Sequence, residues 1–479
     1  MRVMLPLDTF VRDAGTGLPR LKDAAWVERA LGALQRAGAD GVSVDVWWGL
    51  FTLDGTHYDF GCVVQLAELC ARHALHLTCV MSFHACGRSV GDTVHVPLPP
   101  FVVAAVDAAG PAAASGFYCV DAEGRVARDA FSPAADELPL RLALAAPPTT
   151  LLALYRIFME LFADALGRAG LLGAGRACDE VAVGLGPCGE LRYPSYDAAL
   201  GWRWPQAGAP VCHDAHMRAL ALAAGATCRT RAEDAAADPA FLKFYGGVLA
   251  DHAARVLAAA RERAFPYGCG VRLAVKFAGV HWLHALPTRP AEACAGYGDY
   301  ALLLRTVAVH GAGATFTCYD MSTVDLAVRT PAACSDPDSL VREFAAVAHA
   351  AGVAFLGAEN SLEAWDARSL ATVRANVAAT GADMLTFLRL TPAVFPQPRP
   401  GRRLMRTLAI VAVVTFVLAL IADQNGSDDA ASFLAFIAVC AGVLLVPVAV
   451  IRCLCWRKTD EISPSFVSFI RNMPEKSYN

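Results

Sequence analysis

Net charge is nearly absent from this chain: 41 basic and 45 acidic residues leave −4 over 479 positions. No block of one sign stands out, which argues against a nucleic-acid surface. Paired Cys-x-x-Cys spacings are missing too, and the 16 cysteines are scattered singly apart from Cys453 and Cys455. Neither a structural zinc site nor a disulfide framework is suggested, so reduced thiols in a cytosolic compartment are expected. No signal-peptide pattern opens the chain, because Pro6 and Asp8 interrupt the first apolar stretch. No metal or organic cofactor motif occurs.

What is present is apolar and repetitive, with 56% hydrophobic residues. Short β-type bursts fall at Arg2–Leu7, Gly41–Val46, His76–Ser82, Val181–Gly186, Arg272–Phe277, Thr315–Cys318, Val353–Gly357 and Met384–Leu390. Most are continuous rather than alternating, as in strands covered on both faces. Amphipathic helical patterns lie between them: Ala24–Ala37, Cys62–His73, Leu151–Arg168, Phe241–Ala264, Tyr300–His310, Pro337–Ala351 and Ala367–Ala379. This alternation predicts a (β/α)8 TIM barrel over residues 1–396, with an open doubly wound sheet as the structural rival. Polar residues favour the barrel. Asp45, His84, Glu190, Lys276, Thr317, Glu359 and Arg389 all fall at or just beyond the expected C-terminal ends of different strands.

Two of these are carboxylates in glycine-bearing company. Glu190 lies in Val-Gly-Leu-Gly-Pro-Cys-Gly-Glu-Leu-Arg-Tyr-Pro-Ser-Tyr (183–196), and Glu359 ends Leu-Gly-Ala-Glu (356–359). A pair of acids at strand ends is what glycosidic bond cleavage needs, one to protonate the leaving oxygen and one to activate water or attack directly. A lone Glu after a strand is usually structural or solvated, and the pair in context is what points to chemistry. Isolated histidines such as His84 or His281 are likewise more often ordinary packed residues than functional ones.

Five more stretches carry polar residues: Gly-Val-Ser-Val-Asp-Val-Trp-Trp-Gly (41–49), Val-Met-Ser-Phe-His-Ala-Cys-Gly-Arg-Ser-Val-Gly-Asp (80–92), Leu-Ala-Val-Lys-Phe-Ala-Gly-Val-His-Trp (273–282), Phe-Thr-Cys-Tyr-Asp-Met (316–321) and Ala-Glu-Asn-Ser-Leu (358–362). Together with the Glu190 run, the chain from Met1 to about Pro396 resembles the β-amylase family of glycoside hydrolases. The resemblance implies an inverting exo-hydrolase that releases β-maltose from the non-reducing ends of α-1,4-glucans such as starch or maltodextrin. It makes Glu190 the general acid and Glu359 the general base, with the carboxyls about 6.5–9.5 Å apart to admit a water. The acid is then expected to be held protonated and the base ionised.

By the same resemblance Asp45, His84 and Asp92 would bind the terminal glucose, Asp92 from a closing loop. Lys276 and His281 would grip the sugar beyond the scissile bond. Thr317 would be an inner-loop residue, Asn360 and Ser361 would follow the base, and Arg389 would anchor carboxylate geometry from the eighth strand. Departures from the family pattern occur at Phe101, Asp129, Ala130, Asp320 and in the short Gly296–Tyr300 loop. They touch outer subsites more than the two acids.

Beyond Gly401 the composition changes. Apolar runs cover about 404–422 and 431–451, the second of them uncharged and long enough for a bilayer core of about 30 Å. Arg402, Arg403 and Arg406 precede them, Arg452, Arg457 and Lys458 follow, and the connection Asp423–Asp429 is acidic. This predicts a transmembrane hairpin at 397–461, inserted between strand eight and helix eight, with the barrel on the cytosolic side. Ser463 and Pro464 would then start the eighth helix in the 462–479 tail. The alternative is an intervening sequence translated in error, which would leave a soluble cytosolic barrel. Function also keeps two readings: a β-amylase, or a non-catalytic glucan- or maltose-sensing protein on the same barrel.

Overall fold

The computed structural model describes residues 1–52, 54–87, 92–142, 147–360, 367–390 and 395. Met1–Arg389 falls in one compact unit; a second, Leu390–Ser468, lies almost wholly outside the described residues. The expected hairpin at 397–461, the eighth helix from Ser463, and Ser361 also lie outside them. Among the described residues no helix is long and apolar enough to cross a membrane.

Eight parallel strands close into a barrel in simple sequential order. They are β1 (Arg2–Met4), β2 (Gly41–Trp47), β3 (His76–Ser82), β4 (Cys178–Val183), β5 (Arg272–Phe277), β6 (Ala312–Phe316), β7 (Leu356–Glu359) and β8 (Met384–Phe387). The last pairs with the first through Arg2↔Thr386 and Val3↔Phe387, which excludes the open-sheet rival. Met4, Val80, Ala182, Ala274, Phe355 and Met384 form a buried cluster with Leu388 packed against it. Small Ala182 and Ala274 beside larger partners let side chains from different strands interleave.

Seven helices cover the strands: α1 (Ala24–Ala37), α2 (Gly61–Arg72), α3 (Leu151–Arg168), α4 (Pro239–Ala259), α5 (Tyr300–Val309), α6 (Pro337–Ala351) and α7 (Ala367–Thr380). Their boundaries follow capping chemistry. Asp23, Thr150, Asp238, Asp299 and Asp336 each accept a backbone N–H in the first turn of the helix that follows. Helix α3 buries Leu151, Leu154, Tyr155, Phe158, Met159, Phe162 and Leu166 along one stripe. Small antiparallel hairpins, Phe10–Arg12 with Pro19–Leu21 and Cys119–Val120 with Val126–Ala127, decorate the connections.

Candidate active site

Glu359 ends β7, where it was expected. Glu190 does not end a strand. β4 stops at Val183, and the carboxylate arrives seven residues later, after a tight turn at Pro187–Gly189. The intervening Gly-Leu-Gly reads as strand by hydropathy, yet it serves a folded-back loop. A Cβ on Gly186 would meet the carbonyl oxygens of Arg192 and Glu190 at 2.7 Å each, so only glycine permits this return. Cys188 inside the turn takes φ 58°, a costly conformation for a residue with a side chain, and such backbone tension gathers at functional sites.

The loop then joins the barrel rim. Leu191 N donates to Lys276 O at 2.8 Å, forming a parallel bridge between Glu190 and Lys276 at the end of β5. Lys276 Nζ in turn lies 2.8 Å from Glu359 Oε1, so one residue links the two acid-bearing segments, through its backbone carbonyl on one side and its ammonium on the other. Both carboxylates are buried, Glu190 at 9% and Glu359 at 3% exposure. Burial raises the pKa of Glu359; Lys276 opposes that, the like charge of Glu190 adds to it, and Arg389 opposes it again.

Arg192 is the residue that sequence reasoning passed over. Fully enclosed, it donates Nε to Glu190 Oε2 at 2.7 Å, Nη1 to Tyr193 O at 3.2 Å and Nη2 to Cys188 Sγ at 3.4 Å. Its guanidinium stacks 4.1 Å above the Tyr196 ring. The available signal was an arginine two places from a candidate acid in an otherwise apolar motif. These contacts qualify the expected charge assignment. Burial lifts Glu359, the expected base, while Glu190, the expected acid, carries a guanidinium. Each acid has its own cation, which sequence spacing could not reveal.

Asp45, His84 and Arg389 lie close enough to this pair and its cations to feel their charges. Asp45, near the end of β2, accepts from Ser82 Oγ at 3.0 Å and from Arg389 Nη1 at 3.2 Å. Arg389 also donates to Leu5 O at 3.2 Å, so it anchors Asp45 from beyond β8. His84 packs edge-on to Trp47 at 5.2 Å, and its ring lies against Gly189, beside the Glu190 turn. Burial pushes His84 down to about 4; Asp45 and Asp92 oppose this, whereas Lys276 and Arg192 reinforce it. His281 is likewise lowered to about 4 by burial, with His284 adding to the effect. The Nδ1 atoms of both imidazoles are buried without a hydrogen-bond partner, a cost that a sugar hydroxyl could remove.

Asp92 Oδ2 accepts from Gly87 N at 2.7 Å, above a base formed by the reciprocal Cys86–Val96 backbone bonds. Thr317 Oγ1 accepts from Gly279 N at 2.7 Å, a close approach that a Cβ on Gly279 would block by meeting Cys318 Sγ at 2.4 Å. Asn360 exchanges two 2.9 Å bonds with the backbone of Leu388. These bonds tie the end of β7 to the end of β8. Cys86 and Cys318 are buried with raised pKa values, as small apolar residues would be. Among the described residues, no group of three or more His, Cys, Asp or Glu is placed to hold a metal ion.

Comparison with known proteins fits this geometry. The family model described as Glycosyl hydrolase family 14 matches residues 2–236 and 227–406. A protein named "Beta-amylase 1, chloroplastic" from Oryza sativa subsp. japonica is 35% identical over 434 residues, 82% of this chain and 77% of its own length. A second from the same plant, "Beta-amylase 2, chloroplastic", is 34% identical over 445 residues, 84% of this chain and 75% of its own. The solved catalytic domain of a beta-amylase from Paenibacillus polymyxa superposes with a TM-score of 0.66 at 24% identity, covering 81% of this chain and 91% of that one. That likeness supports the fold.

Proposed function

Because the chain belongs to glycosyl hydrolase family 14, the β-amylase family, we propose that it hydrolyses α-1,4-glucans by inversion, releasing β-maltose from non-reducing ends. The observation that carries this reading is the enclosed pair Glu190 and Glu359, bridged by Lys276 at the C-terminal rim of one barrel. Glu190 gives its proton to the glycosidic oxygen as the C1–O bond breaks. Glu359 takes a proton from a water attacking C1 from the opposite face, so the new anomeric hydroxyl is β. The outgoing glucan keeps a free 4-hydroxyl, and solvent returns both carboxyls to their starting protonation.

Asp45 and the neutral imidazoles of His84 and His281 suit the sugar hydroxyls, with Asp92 and Thr317 on loops beside them. Ser361 joins this set by motif position alone. Attachment to a membrane through 404–451, with the barrel on the cytosolic side, is part of the same proposal. Finding a peptide from 423–452 in purified protein and locating that protein in the membrane fraction would support it; recovery of chains lacking the segment would refute it.

The roles of the acids are tested with two substrates. On starch, both Glu190→Gln and Glu359→Gln should lose about 10³-fold or more in kcat. On α-maltosyl fluoride the leaving group needs no proton, so Glu190→Gln should recover most of its rate and Glu359→Gln should not. The reverse pattern would exchange the roles. A wild-type protein that binds maltodextrin yet releases no β-maltose would favour the sensing alternative.

A further inference from the structure

A separate hollow of about 280 Å³ opens in the region that follows the Glu190 loop. Ser195, Trp202, Arg125, Thr230, Arg231 and Glu233 contribute to its wall. Two features mark it as built for a ligand. Ser195 is only 1% exposed, and its Oγ has no hydrogen-bond partner. A buried hydroxyl in that state carries a desolvation cost that an occupant could relieve. The half-buried Trp202 supplies an aromatic wall, and indole faces suit the C–H faces of sugar rings.

The charges in the wall narrow the ligand class. Arg125 is already engaged by Asp121 at 2.6 Å and Glu123 at 3.0 Å. Arg231 lies 3.7 Å from Glu233. Each guanidinium therefore brings its own counter-charge. It still offers N–H groups to hydroxyls, but no uncompensated charge for an anion. The volume falls just below the roughly 300 Å³ at which drug-sized sites begin, which limits the occupant to about two sugar rings.

The aromatic contacts run from this hollow toward the main site. Trp202 lies 5.7 Å from Tyr196 and 5.9 Å from Trp282; Trp204, 42% exposed, lies 5.3 Å from Trp282 and 5.6 Å from His281. Tyr196 is the ring beneath Arg192, which holds Glu190. We propose that the hollow is a second carbohydrate site, taking a neutral maltosyl unit of the same α-glucan whose end is cut at the main site. The proposal rests on the glucan reading of that main site. Its effect is to retain long chains between cuts, which short oligosaccharides cannot exploit.

Thr230 is exposed and stands apart from both acids, so Thr230→Trp should fill the hollow without unfolding the barrel. In a Glu190→Gln, Glu359→Gln background, calorimetric titration with maltose should count one site fewer per chain after Thr230→Trp than before it. With the acids restored, Thr230→Trp should leave kcat/KM on maltotetraose within about twofold and raise KM for soluble starch about five- to tenfold. Inorganic phosphate should not bind the hollow. Unchanged stoichiometry after Thr230→Trp, or phosphate binding that Thr230→Trp abolishes, would overturn the proposal. If the wild type releases no maltose, the hydrolytic reading fails, while the maltose stoichiometry still decides the second site.

Discussion

Replacing Lys276 with Met removes the ammonium from 2.8 Å beside Glu359 while preserving most of the side-chain volume. Glu359 is already raised by burial, with Lys276 the main force opposing that rise. An opposite charge at such a distance lowers a carboxyl pKa by about 1–3 units, so its loss should raise Glu359 by a similar amount. The sign is definite: a base must be ionised, a higher pKa shrinks the ionised fraction on the acid side, and activity returns at alkaline pH. The acid limb of the kcat profile should move up by about 1–3 units, a loss of roughly tenfold to a thousandfold at pH values below both limbs. The assay is kcat for maltose release from saturating maltodextrin between pH 4 and 9, because kcat reports groups in the bound complex. KM should rise as well if Lys276 also grips the sugar beyond the scissile bond, as the family resemblance implies. A uniform fall in kcat with an unmoved acid limb would refute the electrostatic link between Lys276 and Glu359.

Arg192→Lys should cut kcat on starch about 10–100-fold with little change in KM, because it loses the fork that orients Glu190. The loss should be smaller on α-maltosyl fluoride, and equal losses on both substrates would make Arg192 merely structural. His84 and His281 titrate near 4 in the fold and 6.5 when exposed, so they favour the native state above pH 6.5 and that advantage is lost as pH falls toward 4. Each contributes roughly 3 kcal/mol over that window; His84→Asn should flatten the slope of urea-unfolding free energy against pH, and an unchanged slope counts against it. Asn360→Ala breaks both bonds to Leu388 and should cost about 2–4 kcal/mol in unfolding free energy, read by denaturant melts.

Local chemistry made much of this legible. Helix α6 begins and ends where Asp336-Pro337 and Gly352 announce it, and β5 coincides with its apolar run. Short-range signals failed at β4, where Gly184-Leu-Gly prolongs an apolar pattern that the backbone abandons for a turn. They also could not pair Lys276 with Glu359 or Asp45 with Arg389, because those contacts exist only once distant strands have closed the barrel. The candidate acids and Lys276 were visible as residues, and the pairing of each acid with its cation only as geometry. Arg192 lies inside the same motif as Glu190, yet nothing in its spacing says that it turns back onto that carboxylate.

The double attachment of Arg389, to Leu5 O beyond β1 and to Asp45 on β2, means that one side chain staples the closure where the barrel's first and last staves meet. Any motion that parted those two staves would therefore also loosen the mount of Asp45, so closure of the barrel and the placing of that carboxylate depend on the same side chain.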